Sequence, residues 1–176
     1  MTPDKAPRVS PGIDPGAEGG KVLSPDRARK VRQRLARTGA RLVFTNGCFD
    51  LIHPGHVAFL QQARALGDAL LVALNSDDSV RRIKGRGRPI LSIEERIGVL
   101  AGLEAVDYIC VFEEDTPHDI LRDLLPDVLV KGGDYSPDQI VAREVVERAG
   151  GRVATVSTRF NTSTSAVIER IIERVK

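Results

Sequence analysis

Five short apolar runs divide this 176-residue chain, and each leads into a polar or glycine-bearing turn and then a helical period. The runs are Leu42-Val43-Phe44, Ala69 to Leu74, Val106 to Phe112, Asp127 to Lys131 and Arg152 to Val156. Ala69-Leu-Leu-Val-Ala-Leu74 is apolar at every position, the pattern of a strand buried on both faces rather than one. Strands that alternate with helices predict a parallel sheet, because each return to the same edge needs a crossover. The expected fold is therefore α/β, a Rossmann-like three-layer sandwich with a five-stranded parallel sheet and helices on both faces.

The helices between these runs announce their own ends. Ser24-Pro25-Asp26 supplies an N-cap, a proline at the first helical position and an acid in the first turn of a basic helix over about 25–38. Val57, Leu60, Ala63 and Leu66 share one helical face. A short helix is expected around 77–82, and Ser92-Ile-Glu-Glu95 is a capping box for a helix reaching about Gly102. Thr116-Pro117 opens another helix that stops before Pro126, and Ser136-Pro-Asp-Gln139 caps one that ends at Gly150. Val167, Ile168, Ile171, Ile172 and Val175 form the apolar stripe of the last. Residues 1 to about 20, with four prolines and four glycines, read as a flexible leader, which leaves 21–176 as a single domain.

The polar clusters Thr45 to Asp50, Asn75 to Asp78, Glu113 to Thr116, Lys131 to Tyr135 and Ser157 to Ser165 all follow strands. In a parallel sheet they share one edge, the edge where ligands bind. Bulk properties narrow what that ligand is. A formal charge of +2 gives no reason to expect nucleic acid. No apolar run is long enough for a membrane span or a signal peptide, and Cys48 and Cys110 make no disulfide framework, so a reducing cytoplasm is expected.

The densest cluster lies after the first run, where Thr45-Asn46-Gly47 and Cys48-Phe49-Asp50 precede His53-Pro-Gly-His56. A helix N-terminus offers unpaired N–H groups and partial positive charge, which suits a phosphate. Two histidines three apart can face one point and donate to a phosphoryl oxygen. They can equally be an incidental pair or two ligands of a metal, although zinc wants a third and His118 lies far along the chain. Ile83-Lys-Gly-Arg-Gly-Arg-Pro89 is either a mobile basic loop or a clamp over a polyphosphate. Arg96, a cation in the first turn of its helix, hints at an anionic partner. Ser163, Thr164 and Ser165 are first an N-cap and also a place for a second phosphate.

Asn46-Gly-Cys-Phe-Asp50 followed by His53-Pro-Gly-His56 resembles the His-x-Gly-His signature of the nucleotidylyltransferase superfamily, in its cytidylyltransferase-like branch. The resemblance runs from about Lys21 to the C-terminus. Asn75 to Val80, Lys84-Gly85, Arg88-Pro89, Glu114 to Pro117, Leu129 to Tyr135 and Ser163 to Ser165 resemble one subgroup, the heptose 1-phosphate nucleotidyltransferase domain. That domain is best known as the C-terminal half of a bifunctional sugar kinase/adenylyltransferase. The resemblance implies a stand-alone transferase joining ATP and D-glycero-β-D-manno-heptose 1-phosphate to give ADP-heptose and pyrophosphate, for lipopolysaccharide core or a related glycan.

The same resemblance implies the roles. His53, His56 and Lys84 would be catalytic. Thr45, Asn46, Gly47, Phe49, Lys131, Gly132, Asp134, Ser163, Thr164 and Ser165 would join the histidines in binding the nucleotide. Asn75, Asp77, Lys84, Arg88 and Arg96 would contact the acceptor. Mg²⁺ is expected on the triphosphate rather than on protein ligands, and a homodimer or larger homo-oligomer is expected. Two other readings stand beside it: a CTP-dependent cytidylyltransferase acting on glycerol 3-phosphate or another small phosphate or phosphonate, and a nucleotide-binding sensor without turnover. Two positions depart from the subgroup, with Ala142 and Asn161-Thr162 where glycines usually stand.

Overall fold

The computed structural model describes residues 20–133, 140–157, 159–160 and 162–175. The leader expected over the first twenty residues (apart from Gly20), Asp134, the capping box at 136–139 and Asn161 lie outside the described residues. The strands are β1 (Val22–Leu23), β2 (Leu42–Gly47), β3 (Ala69–Asn75), β4 (Tyr108–Phe112), β5 (Val128–Gly132) and β6 (Arg152–Val156). The helices are α1 (Pro25–Arg37), α2 (Pro54–Arg64), α3 (Asp77–Lys84), α4 (Ile93–Ala101), α5 (His118–Leu124), α6 (Arg143–Arg148) and α7 (Thr164–Val175). All strand pairs are parallel, in the order β1-β4-β3-β2-β5-β6.

The α/β sandwich is as expected, with one strand more than five. Val22 and Leu23 pair with Ile109 and Cys110 at the sheet edge. Two residues carry no readable periodicity, so only the pairing reveals the strand. The expected caps are present. The Ser24 side chain accepts from the Arg27 amide, and Ser92 and Glu95 close a reciprocal capping box.

Alternation along the strands builds two cores. Val43, Leu70, Val72, Leu74, Val128 and Val130 pack with Phe59, Leu60 and Ala63 of α2 and Ile97 and Leu100 of α4. Leu42, Phe44, Leu71, Ala73 and Leu129 pack on the other face with Ala28 of α1, Leu121 and Leu124 of α5 and Val146 of α6. At the N-terminal edge aspartates secure the incoming strands. Asp127 accepts from the Leu42 amide and Asp107 from the Leu70 amide, each at 2.7 Å.

The chain leaves β2 toward β3 and β4, then crosses back to place β5 and β6 on the other side of β2. The crevice at the C-terminal ends of β2 and β5 is the topological switch point, where an open parallel sheet binds its ligands. Ala142 takes φ 61° and ψ 22°, the left-handed region that a glycine at this turn would adopt freely. That conformation costs an L-residue about 1–2 kcal/mol. The methyl group is buried in the α1/α5/α6 layer, which returns about 0.8 kcal/mol. The substitution is thus only partly offset by packing.

Candidate active site

At the end of β2 the chain turns through residues 48–52 into α2, whose N-cap is His53 and whose first residue is Pro54. The His53 backbone is extended, and its carbonyl accepts from the His56 amide at 2.9 Å. Its side chain makes no capping bond, so the imidazole is free to face the crevice. The two imidazoles stack with centroids 3.8 Å apart at 25°, and Phe49 lies 5.3 Å from His56. Phe49 holds φ 44°, an uncommon conformation for an aromatic residue that the surrounding turn enforces.

The glycines in this segment are steric requirements. A Cβ on Gly47 would lie 3.1 Å from the Phe49 ring, and one on Gly55 would lie 3.0 Å from both Cε1 and Nδ1 of His53. Gly55→Ala should therefore leave the helix formed, since alanine is the better helix residue. It should also displace the His53 imidazole and lower kcat by roughly tenfold or more, misplacement alone being able to reach about 10²-fold. Circular dichroism and initial rates check the two halves of that expectation. Unaltered rates would mean that the imidazole position does not matter.

Among the described residues, Nδ1 of His53 and Nδ1 of His56 are both buried without a hydrogen-bond partner. Buried polar atoms are almost always satisfied, so two such atoms on stacked rings at a helix N-terminus make this a candidate ligand site. Burial, reinforced by the neighbouring His53, pushes the His56 pKa down to about 4, against a smaller upward pull from the Leu51 backbone. Burial and then the charge of Arg170 also lower His53. Both rings are consequently neutral near pH 7, each a single N–H donor.

These shifts tie stability to pH. The unfolded chain binds a proton at His56 below its ordinary 6.5 while the folded chain resists until about 4. Stability is therefore full above pH 6.5 and declines as pH falls through that window. The melting temperature should drop between pH 7 and 5, and His56→Gln should make the drop shallower. An identical slope in the variant would remove His56 as the source.

A second helix N-terminus converges on the first. The Thr164 hydroxyl donates to the Leu51 carbonyl at 3.4 Å, tying α7 to the turn before α2. Ser163 Oγ accepts from the Ala166 amide at 3.1 Å and so caps α7, while Ser165 is exposed. A cavity of about 750 Å³ opens beside His53, lined also by Ile52, Val57, Gln61, Arg159 and Phe160. The Arg159 guanidinium lies 5.0 Å over the Phe160 ring.

The other expected residues divide. Gly47 and Phe49 stand at the His turn, and Lys84 is exposed at the end of α3. Asn46 Oδ1 accepts from Lys131 Nζ across the β2/β5 switch point, and burial lowers the Lys131 ammonium to about 8. Gly132 faces the Phe59 ring, which a Cβ would approach to 3.3 Å. Thr45 is buried and donates to the Val130 carbonyl at 2.9 Å, binding β2 to β5. Asn75 is buried and donates to Ser79 Oγ at 3.0 Å.

Arg96 is 0% exposed. Its guanidinium reaches the Cys48 carbonyl at 2.6 Å, the Asn75 carbonyl at 2.8 Å and the Asp77 carboxylate at 2.7 Å. The anionic partner signalled by its place in the sequence is thus an aspartate of the same chain, and Arg96 and Asp77 brace the floor of the crevice. Arg88 pairs with Asp50 at 2.6 Å. Sequence reasoning missed the structural weight of Asp50, although it lies inside the quoted motif, and it missed Arg159 and Arg170. Arg170 follows Ser163 by seven residues, a helical spacing that could have signalled a shared face.

A family model described as Cytidylyltransferase-like matches residues 44–170. Among curated proteins, the Bifunctional protein HldE of Pelobacter propionicus is 55% identical over 136 residues, covering 77% of this chain and 28% of that one. Its counterpart of the same name in Geobacter sulfurreducens is 49% identical over 162 residues, covering 92% and 33%. The chain thus spans about a third of the length of these relatives. A crystal structure of the lipopolysaccharide core biosynthesis protein from Thermoplasma volcanium superposes with a TM-score of 0.58 at 25% identity, covering 70% of this chain and all of that one.

Proposed function

The chain belongs to the cytidylyltransferase-like family, and from that premise we propose that it is a heptose 1-phosphate adenylyltransferase, converting ATP and D-glycero-β-D-manno-heptose 1-phosphate into ADP-heptose and pyrophosphate. The observation that carries the reading is the pair of buried, unpartnered Nδ1 atoms at the start of α2. High identity to part of a bifunctional protein supports the sugar nucleotide reading over the CTP-dependent one.

An oxygen of the sugar phosphate attacks the α-phosphorus in line, the new P–O bond forms, and the bond to the β-phosphate breaks with release of pyrophosphate. The attacking phosphate is already an anion at neutral pH, so no general base is needed. The protein's work is positioning and charge stabilisation. Neutral His53 and His56 offer their single N–H groups to the α-phosphoryl oxygens, where charge accumulates, His56 giving up its bond to the Leu51 backbone to do so. The N-terminus of α7, with Ser163, Thr164 and Ser165, receives the β- and γ-phosphates. Lys84 approaches from the basic loop, Gly47 and Phe49 line the nucleotide through the first loop, and Asn46, Lys131 and Gly132 line it at the switch point. Asp134 is assigned to the same binding site from its motif alone. The mouth of the crevice near Asn75, Asp77 and Arg88 takes the acceptor, with Thr45 and Arg96 acting from beneath.

Among the described residues no three His, Cys, Asp or Glu side chains gather as a metal-ligand set. Mg²⁺ would sit on the oxygens of the triphosphate, where it would neutralise charge. The reading also assigns the enzyme to the cytoplasm, where its triphosphate is available, and gives it a homodimeric or larger assembly that light scattering can check. Among the described residues no helix is long and apolar enough to cross a membrane.

Pyrophosphate release tests the proposal, with ATP, CTP, GTP and UTP each offered alongside heptose 1-phosphate and glycerol 3-phosphate. Turnover confined to ATP with heptose 1-phosphate is the expected result. Turnover with CTP and glycerol 3-phosphate would move the protein to the other reading within the same fold, and binding without turnover would favour the sensor.

A further inference from the structure

The basic loop between α3 and α4 has two unlike halves. Lys84 to Gly87 are exposed, and Gly85 and Gly87 stand at φ 90° and 89° with open space around both. The following arm, residues 88–91, is fastened to a single side chain. Asp50, whose side chain is 0% exposed, accepts from Arg88 Nε at 2.6 Å, from the Ile90 amide at 2.9 Å and from the Leu91 amide at 2.9 Å. Burial alone would raise this carboxyl, yet the Leu91 and Ile90 amides and the Arg88 guanidinium together hold it below its ordinary value.

Asp50 lies three residues before His53, on the turn that carries both imidazoles. The fastening therefore fixes the basic arm relative to the His pair and not merely to the bulk of the domain. Burial raises the Cys48 thiol, while Lys84, Arg96 and Arg88 pull it back, which sets those cations beside the same turn. A buried carboxylate with three donors is expensive to desolvate and is held only where its partners are in place. Everything it holds belongs to one loop.

We infer that Asp50 is a positioning residue: its carboxylate fixes the 88–91 arm against the His turn, so that Arg86, between the two glycines, and Lys84, the last residue of α3 where the loop begins, are delivered to the phosphates of a bound nucleoside triphosphate. The inference rests on the nucleotide-binding part of the proposed function and extends it to a residue that need not touch the ligand.

Two measurements on the full chain test it. Hydrogen exchange of the free protein should show the Ile90 and Leu91 amides exchanging about tenfold or more faster in Asp50→Asn, the scale of losing charge-assisted bonds, with β2 and β3 unchanged. ATP affinity by calorimetry should weaken roughly tenfold in Asp50→Asn, and Lys84→Ala added to it should weaken it little further, because both act through one loop. Were Asp50→Asn to lose its fold, Arg88→Gln removes the ion pair from its less buried partner, with about a threefold loss expected and the same non-additivity.

Unchanged exchange at Ile90 and Leu91 would overturn the anchoring. Fully additive losses with Lys84→Ala would reduce Asp50 to a fold residue and overturn the positioning. Affinity is read instead of turnover, so a wrong acceptor sugar leaves the test standing. If the wild type failed to bind ATP at all, the nucleotide reading would fall and the delivery role with it, whereas the exchange result would still report on the anchor.

Discussion

His53→Ala and His56→Ala should each lower kcat by roughly 10²-fold or more, the scale of removing one transition-state donor. The two rings stack at 3.8 Å, and neither Nδ1 has a partner among the described residues, a geometry in which both can face one charge. The double variant should lose less than the product of the single losses, as groups acting as a unit do. KM for the triphosphate should move much less than kcat, because the charge they meet is largest in the transition state. His56→Ala leaves a small cavity among half-buried groups and relieves the burial of an imidazole, so its melting temperature should stay close to wild type at pH 7. Single-turnover rates with saturating nucleotide separate these outcomes. Full turnover in either variant would remove that histidine from the chemistry, and a change confined to KM would make it a binding group only.

Arg96→Met destabilises the protein by about 3–5 kcal/mol, the range found when one partner of a buried ion pair is removed. Three oxygens depend on that guanidinium, from the turn after β2, the end of β3 and the start of α3. Methionine fills the space but leaves the Cys48 and Asn75 carbonyls unpaired in a dry environment and Asp77 without its cation. For a domain of this size the melting temperature should fall by roughly 6–20 °C. Arg96→Lys should rescue only part of this, since one ammonium cannot fork to three acceptors. Thermal melts at pH 7 decide the matter. A variant melting within about 2 °C of wild type would show that the brace is dispensable, and activity lost without stability would return Arg96 to the role of a ligand contact.

The contrast between these residues explains what could be read in advance. His53 and His56 were legible because the motif is contiguous: the strand, turn and helix that gather them lie within seventeen residues of chain, from Arg41 to Val57. Gly55 stands inside the quoted motif, yet its use is to leave room for the His53 ring, a matter of non-bonded distance. Arg96 and Asp77 were read as acceptor contacts from the resemblance, and Arg96 also from its place in the first turn of its helix. Nineteen positions apart, they neutralise each other only after α3 and α4 have packed beside β3 and β4. Asp50 was hidden for the same reason, its partners lying about forty residues away.

By itself, the sequence determined the local structure and the edge on which the polar clusters gather. Hydrophobic period and capping residues act over one or two turns of chain, and those short-range preferences decide strands, helices and the turns that follow them. The tertiary structure decided which polar groups face a ligand and which are spent on one another. It also decided the two-residue edge strand, which exists only because Ile109 and Cys110 offer it a partner. Burial and long-range hydrogen bonding set the charge state and accessibility of a side chain, and neither is a property of the residue or its neighbours in sequence.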